Sequence, residues 1–309
     1  MAGNVPYGTL TGTSTISNLV QTAYDQYVRM ALRSIPVMRA LADVKPVQQA
    51  MPGSSVVFSI YSDLAQATST LTESSDVSSI ALGNPNQITV TLQEYGSAVT
   101  TTKKLNLTSF NDVDAALADI IAYNAADSID AVVAGVLTSG TNIIYGGTAT
   151  NTAGITAGST ISVSDIRAAV TNLRSNKALP RIGELYAAYL HPKQTADLRA
   201  ETGTGGFQDL SKYVDRTPFV AGAVGVLEGA FIVETPRVPY TSNGSVNVYS
   251  AIIAGREALA EAQGQDISTV IGPQIDALRR FHTIGWYYFG GWNILRTAAL
   301  YNIQTSTAY

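Results

Sequence analysis

Two neighbouring stretches decide the fold: GSSVVFSIYSDL at 53–64 and QITVTLQEYGSAVTTTKK at 87–104. In the first, Val56, Phe58 and Ile60 lie on one face and alternate with small or polar residues, and the second stretch alternates in the same way. A period of two is typical of a half-buried β-strand. The two stretches therefore predict a pair of strands, the second of which follows the turn signal Gly83-Asn84-Pro85.

The segment between these strands, residues 64–87, is polar and weakly hydrophobic. Such a segment buries too little apolar area to hold itself together, and a two-stranded hairpin is marginal alone. No lysine or arginine occurs between Lys45 and Lys103. The acidic residues of this stretch are Asp63, Glu73, Asp76 and Glu94. We therefore predict a projecting hairpin of one charge sign that is ordered by a neighbouring surface.

The composition of the whole chain excludes several classes of protein. The 309 residues are 46% hydrophobic and 14% charged, with a net charge of -4 and no cysteine. The charged fraction lies below the roughly 25% of ordinary soluble proteins, which indicates that much of the surface is covered. The lack of cysteine excludes disulfide frameworks, thiolate zinc sites and cysteine nucleophiles. The mild acidity argues against a dedicated nucleic-acid binder.

The start of the chain has no basic region followed by an apolar one, as a secretory signal would. No run of apolar residues approaches the roughly 18 of a membrane span. The length allows two domain-sized cores or one large discontinuous fold. We expect an intracellular protein without a membrane segment.

Helical spacing of apolar residues marks two helices in the first half. One runs from Ile16 to Ile35 and ends at Pro36, with Arg29, Arg33 and Arg39 on its other side. These arginines indicate either a solvated face or a docking surface, and the sequence does not separate the two.

The second helix begins at a cap, Asn111 or Asp112, and continues to about Leu137. Its expected apolar stripe is Val113, Leu117, Ile120, Asn124, Ile129, Val132 and Val136. It has no lysine or arginine, and its aspartates are Asp112, Asp114, Asp119, Asp127 and Asp130. A metal or acid–base array is one interpretation. The favoured one is a helix whose acidic face meets water or a basic neighbour.

The second half of the chain alternates helices and strands. A Gly/Thr/Ser-rich connector at 138–163 is the best domain boundary. An α/β unit follows, with a helix capped by Ser164, a helix with Pro192 at its first position, and a short helix after a turn at Gly255. At the C-terminus, the break Gly290-Gly291 between two aromatic runs predicts a hairpin. We expect these aromatics to pack a sheet against the long helix, in preference to stacking on bases.

No motif in the chain supports catalysis or a bound cofactor. The glycine-punctuated segment 222–239 lacks the strand–glycine–helix order and the Lys-Ser/Thr pair of a phosphate loop. A hydrolase would need a nucleophile and a base, and no nucleophile elbow is present. The two histidines, His191 before a proline and His282 beside aromatics, are interpreted as structural. We predict no catalytic residues, no cofactor and no metal.

Six segments, taken in order, resemble the major capsid protein of tailed bacteriophages, which has the Hong Kong 97-type (Johnson) fold, and more narrowly its coliphage N-four-like branch. The segments are GSSVVFSIYSDL (53–64), TSTLTE (68–73), QEYGSAVTTTKK (93–104), SIDAVVAGVL (128–137), VLEGAFIVETPRVP (226–239) and GWYYFGGWNILR (285–296). The order of parts covers nearly the whole chain. The resemblance implies an α+β fold and an icosahedral shell around double-stranded DNA.

The resemblance also implies a division of the chain into named parts. Residues 1–45 would form an N-terminal arm and helix. Residues 46–139 with 273–309 would form a peripheral domain around a long spine helix, with an extended β-hairpin loop at about 60–87. Residues 140–272 would form an α/β axial domain at the centre of hexamers and pentamers.

The expected partners are other copies of the chain, a separate scaffold protein, a portal and non-specifically packaged DNA, with decoration proteins left open and no membrane. The charge segregation suggests inter-subunit contacts between Asp63, Glu73 and Asp76 of one copy and the arginines of another. Those arginines are Arg29, Arg33, Arg279 and Arg280. Because the loop has no lysine, we expect no isopeptide cross-link of the kind some relatives form.

No charged helical segment precedes the arm, so we expect no built-in scaffolding extension. The location would be the virion, with assembly in the host cytoplasm. The main rival is an encapsulin-like nanocompartment shell around a cargo enzyme. A tail-tube or adhesion protein is disfavoured because it would be predominantly β.

Overall fold

The computed structural model describes residues 33–46, 54–61, 63–71, 73–74, 76–77, 79–108, 113–202, 225–272, 278 and 280–309. The expected arm and most of the helix from Ile16 to Ile35 lie outside the described residues, as do Arg29 and Arg279.

Within the described residues, the first half contains four strands and two helices. A 3-10 turn at Met38–Leu41 leads into β1 (Ala42–Pro46), and the strands that follow are β2 (Ser55–Ile60), β3 (Asn86–Thr91) and β4 (Gln93–Thr102). The helices are α1 (Lys103–Thr108) and α2 (Val113–Thr138).

The described part of the second half contains two helices and nine strands. The helices are α3 (Val163–Ser175) and α4 (Pro192–Ala200). The strands are β5 (Ile143–Tyr145), β6 (Tyr186–Leu190), β7 (Val226–Leu227), β8 (Ala230–Glu234), β9 (Tyr240–Ser242), β10 (Asn247–Ala254), β11 (Leu259–Ile271), β12 (Phe281–Ile294) and β13 (Leu300–Thr305). Short 3-10 turns occur at Thr152–Gly154 and Thr297–Ala299.

These strands form three sheets. A four-stranded sheet has the order β1-β11-β12-β4, in which β1 runs parallel to β11 and the other neighbours are antiparallel. A seven-stranded sheet has the order β5-β13-β10-β6-β8-β7, with β9 also paired to β10. Strands β2 and β3 form a separate antiparallel pair, which confirms the hairpin predicted from the alternating pattern.

Helix α2 packs against both larger sheets. Its buried side chains recur every four residues: Leu117, Ile121, Ala125, Ile129, Val133 and Leu137. They share one core with Trp286 and Tyr288 of the four-stranded sheet and Ile252 of the seven-stranded sheet. The predicted stripe was therefore right at Leu117 and Ile129 and wrong by one position at Ile120, Asn124, Val132 and Val136; Ile120, for example, is 46% exposed.

By length and composition alone, Leu117–Thr138 of α2 could cross a membrane, and it is the only described helix that passes this test. The core helix of a globular protein has the same composition, and this helix carries its apolar row against the two sheets.

Helix α3 covers the opposite face of the seven-stranded sheet. Ile166, Val170 and Leu173 of α3 are buried together with Ile253 of β10, as the predicted stripe required. Because side chains alternate along β10, Ile252 faces α2 while Ile253 faces α3. The expected cap at Ser164 was wrong by two residues, since the Ser162 hydroxyl accepts from the Asp165 N–H and the Asp165 carboxylate accepts from the Ser162 N–H.

Two local predictions were wrong. The segment after Gly255 forms strand β11 instead of a short helix, because Leu259, Ala260 and Ala262 are buried in the sheet. Gly290-Gly291 does not break a hairpin, since β12 runs straight through both and pairs with β11. A Cβ at Gly291 would collide with the carbonyl of Thr91, so the glycine allows the hairpin backbone to lie directly on β12.

Strand pairing also regroups segments near the expected domain boundaries. Strand β11, assigned to the segment 140–272, pairs along its length with β12 of the segment 273–309. Strand β13 lies in the segment 273–309, which was expected to belong to the same domain as 46–139, but it pairs with β10 and β5 in the seven-stranded sheet. The chain therefore crosses between the two sheets at 255–258 and again at 295–299.

Candidate functional site: a projecting hairpin and the root of the arm

The β2–β3 hairpin is attached to the body at its base. Val56 lies opposite Val90, and Phe58 lies opposite Ile88. Val90 is fully buried in a small core with Ala260 and Ala262 of β11. The base therefore rests on the four-stranded sheet through apolar contacts.

Beyond this base, the extended loop (residues 61–85) has exposed side chains at almost every described position and no helix or strand there. Six large apolar side chains are among the exposed ones, and their exposed fractions are 57–78%. They are Tyr61, Leu64, Leu71, Val77, Ile80 and Leu82. Large apolar groups concentrated on a projecting segment indicate a surface that another molecule covers.

The predicted acidic contact residues Asp63, Glu73 and Asp76 all lie on this extended loop and are exposed. The Asp76 carboxylate accepts a hydrogen bond from the Val77 N–H at 2.8 Å. Neither Asp63 nor Glu73 forms a salt bridge with any residue that the structure describes. The extended loop thus presents apolar and acidic groups together.

At the arm root, residues 33–46, the acidic groups are buried instead of exposed, and they bind this part of the chain to the body. The Asp130 side chain on α2 is only 2% exposed and accepts from the backbone N–H groups of Met38, at 2.6 Å, and Arg39, at 3.2 Å. Its other oxygen accepts from Arg237 Nε at 2.6 Å. Arg237 also binds Asp127, so both aspartates face one basic partner.

A second buried carboxylate, Glu261 of β11, holds the next residue of the arm root. Arg39 Nη2 donates to Glu261 Oε1 at 2.7 Å, and Arg39 Nε donates to the same carboxylate. The hydroxyl of Tyr288 donates to Glu261 Oε1 at 2.9 Å. Burial, and then the negative charge of Glu261, raise the pKa of Tyr288 well above its usual range. Glu261 is therefore a fully satisfied buried anion, as a charge at 0% exposure must be.

The predicted basic contact residues are placed differently from the acidic ones. Arg33 donates to Asp119 of its own α2 at 2.9 Å and lies over the ring of Tyr123. Arg280 lies over the ring of Phe281. Because Arg29 and Arg279 lie outside the described residues, the structure places only two of the four arginines. The contacts that the structure describes for these two are with Asp119, Tyr123 and Phe281.

His191 has a structural role, as expected. Its Nδ1 accepts from the Lys193 N–H at 3.2 Å and caps α4, and its ring lies 4.6 Å from that of Tyr249. Burial lowers its pKa, and nearby Lys193 lowers it further. The side chain of His282 lies outside the described residues, although its backbone belongs to β12.

Sequence reasoning missed the buried anchor formed by Asp130, Glu261 and Arg237. A usable signal was present, since Asp130 and Glu261 each stand as a lone acid in an otherwise apolar run, SIDAVV and ALAEA. A buried carboxylate in such a run requires a basic partner. Among the described residues, no group of three or more acidic or histidine side chains could hold a metal ion.

The family model described as "Phage capsid protein" matches residues 13–298. No curated protein matches the chain.

Solved structures share the fold at low sequence identity. The capsid of the cyanophage P-SCSP1u is 17% identical with a TM-score of 0.75, covering 94% of each chain. The head of Helicobacter pylori bacteriophage KHP40 is 13% identical with a TM-score of 0.72, covering 99% of this chain and 100% of the other. The capsid of a native GTA particle is 16% identical with a TM-score of 0.69, covering 97% and 100%.

Proposed function

This chain belongs to the phage capsid protein family, and from that membership we propose that it is the major capsid protein whose copies assemble, as hexamers and pentamers, into an icosahedral head shell around double-stranded DNA. It has the mixed α+β fold of Hong Kong 97-type capsid structures. Six segments shared in order with the coliphage N-four-like branch support placing it in that branch. The protein is structural, and we propose that it has no enzymatic activity.

The observation that carries the proposal is the extended loop. Its apolar side chains are 57–78% exposed, and water is an unfavourable solvent for them, at about 25 cal/mol per Å² of apolar surface. A second copy laid over the loop would remove that cost. One loop on each subunit bound to a different surface of the next gives a head-to-tail contact, and such contacts form rings when the rotation between copies closes.

Two parts of the subunit follow from strand pairing. We assign the peripheral domain to α2 with the four-stranded sheet, including β11, and the axial domain to the seven-stranded sheet with α3 and α4. This keeps the expected spine helix and extended loop, and transfers β13 to the axial domain. We propose that the axial domain lies at the centre of each ring.

The ion pairs between copies are proposed to fix the position of the loop on its neighbour more than to increase the affinity between the two copies. Exposed ion pairs contribute about 0–1 kcal/mol each, so the carboxylates of Asp63, Glu73 and Asp76 would guide the loop while its apolar side chains bind. Arg29, Arg279 and Arg280 are the proposed basic partners. Arg33 is a weaker candidate, because Asp119 of the same chain already holds its guanidinium.

Further partners are a scaffold protein encoded separately, a portal and packaged DNA bound without sequence preference. Assembly is proposed to take place in the host cytoplasm, and the finished protein to reside in the virion. Contacts of lysine and arginine with DNA phosphates add up, so a strongly basic shell would hold its DNA. The net charge of -4 therefore suits a container that releases its contents.

The test is electron microscopy of the expressed full-length chain and of a double variant, Leu71→Ser with Leu82→Ser. Wild type should form icosahedral particles or capsomer rings, and the variant should remain a folded subunit with unchanged circular dichroism. Gly83→Ala is the control, since a Cβ there meets no atom within 4 Å. Normal particles from the double variant would contradict the proposal, and particles that hold a cargo enzyme in place of nucleic acid would favour the nanocompartment.

A further inference from the structure

A small pocket, partly open to solvent, lies where the chain crosses between the two large sheets, and its lining residues Lys177, Arg256 and Arg296 are exposed. It has a volume of ≈ 190 Å³ and is lined by the end of α3 at Asn176 and Lys177, the β10–β11 turn at Arg256 and Glu257, and the β12–β13 crossover at Arg296. The backbone N–H of Arg256 donates to the Leu179 carbonyl at 2.8 Å, which fixes the turn against the loop after α3. Side chains from three segments, distant in sequence, thus converge on one concavity.

The charges in this pocket are unbalanced. Arg296 donates to Glu257 at 2.7 Å. By contrast, the side chains of Lys177 and Arg256 have no hydrogen-bond or ion-pair partner within the described part of the chain. Three cations against one carboxylate leave a net of two positive charges. The C-terminus of α3 contributes about half a negative charge, which is too little to cancel them.

The backbone supports a role for these side chains beyond packing. Among the described residues, three non-glycine positions have left-handed φ angles, and two of them line this pocket: Lys177 at 57° and Glu257 at 59°. Glycine takes this conformation without steric cost, and it is the common residue one position beyond a helix. The chain instead places a cation at the first position and, at the second, the carboxylate that orients Arg296.

We propose that this pocket binds a phosphate group, either as free inorganic phosphate or as a backbone phosphate of DNA. The guanidinium of Arg256 offers the planar fork that phosphate oxygens accept, and Lys177 adds a point charge on the other side. Because the pocket joins both crossovers between the sheets, a bound phosphate would hold the two parts of the subunit in one relative position. The pocket and its charges belong to the single chain, so this inference does not depend on shell formation.

The experiment titrates the purified full-length protein with inorganic phosphate by calorimetry and with a short fluorescent DNA duplex by anisotropy, at low salt. The test variant is Lys177→Gly with Arg256→Gln, which keeps the left-handed turn and removes two charges. The matched control is Lys104→Gln with Lys193→Gln, which removes the same charge from positions outside the pocket. Circular dichroism verifies folding of both.

We expect wild type and the control to bind phosphate, and the test variant to bind it at least about tenfold more weakly. If DNA affinity falls in the test variant by more than in the control, the source is the DNA backbone, and if only phosphate affinity falls, the source is free phosphate. Equal phosphate binding by test and control variants would overturn the proposal. Loss of self-assembly with phosphate binding unchanged would also overturn it, and would assign the pocket to a carboxylate of a second copy.

Discussion

Carboxylates at the arm root are buried and paired, whereas carboxylates on the extended loop are exposed. Asp130 and Glu261 are 2% and 0% exposed, and each binds several donors of its own chain. Asp63 and Glu73 are exposed, and the apolar groups around them face solvent. The difference separates contacts that hold the subunit together from groups that, under the proposed function, are available to other copies. Measurements of stability and of assembly should therefore respond to separate sets of residues.

The largest expected effect on stability comes from Asp130→Ala. The change leaves Arg237, whose side chain is 10% exposed, without its most buried partner, and removes the acceptor of two backbone N–H groups. Breaking a buried pair in this way costs about 3–5 kcal/mol. Urea unfolding of the isolated subunit measures the loss. Asp119→Ala is the control, because its carboxylate is 58% exposed and its pair should contribute about 0–1 kcal/mol; equal losses in the two variants would remove the contrast.

A smaller effect is expected from Gly291→Ala, which tests the join between the two regions. The new methyl group would meet the Thr91 carbonyl, so the hairpin base must shift away from β12. Overpacking of this kind costs about 1–3 kcal/mol. Unfolding free energy and the rate of proteolysis within the hairpin are the measurements. Gly135→Ala is the control, since a Cβ there meets no atom within 4 Å. Unchanged proteolysis of the Gly291 variant would show that the close approach is not needed.

Substitutions in the extended loop should have almost no effect on the stability of the subunit itself. Replacing Asp63 with Asn and Glu73 with Gln removes two exposed charges, so the unfolding free energy should stay within about 0.5 kcal/mol. Assembly rates should become less sensitive to salt, because the steering charges are gone. Light scattering at several salt concentrations measures this. An unaltered salt dependence would assign the steering to other residues.

The smallest effect is a pH dependence at His191. Burial lowers its folded-state pKa, and the neighbouring charges are Lys193 and Glu234. The unfolded chain therefore takes up a proton first, so stability should fall as pH drops below about 6.5, the ordinary value for histidine. Protonation also removes the acceptor that caps α4. His191→Asn keeps a cap and should flatten the profile between pH 7.5 and 5.5. A profile equal to wild type would assign the dependence to other groups.

Local patterns predicted the elements that a short stretch of sequence defines by itself. The alternation around Val56 and Val90 predicted the hairpin, and the helical spacing of apolar residues predicted α2 and α3. Sequence distance explains the failures. Strand β11 was read as a helix because its alanines fit both periods, and only its pairing with β12 decides between them. Gly290-Gly291 was interpreted as a turn because the reason for Gly291, the close Thr91 carbonyl, lies 200 residues earlier in the sequence.

The site was predicted unevenly for the same reason. The acidic loop follows from composition, since exposure of a polar segment needs no partner. The anchor required knowing that Arg39 meets Glu261, 222 positions away, and that Arg237 meets Asp130. The sequence contains a signal for buried acids, lone carboxylates in apolar runs, but no signal for which distant residues pair with them.

The parallel pairing of β1 with β11 joins Ala42 to Leu259, and the guanidinium of Arg39 binds Glu261, 222 positions later. During synthesis at about 5–20 residues per second, this side chain therefore waits for about ten seconds or more for Glu261, whereas Asp130, which binds the Arg39 N–H, is made sooner. Contacts of such long sequence separation also close slowly once the chain is complete. The β1–β11 pairing and the Arg39–Glu261 contact are consequently completed only late in translation or after release of the chain, so the arm root is the last part of the subunit body to be fixed in place.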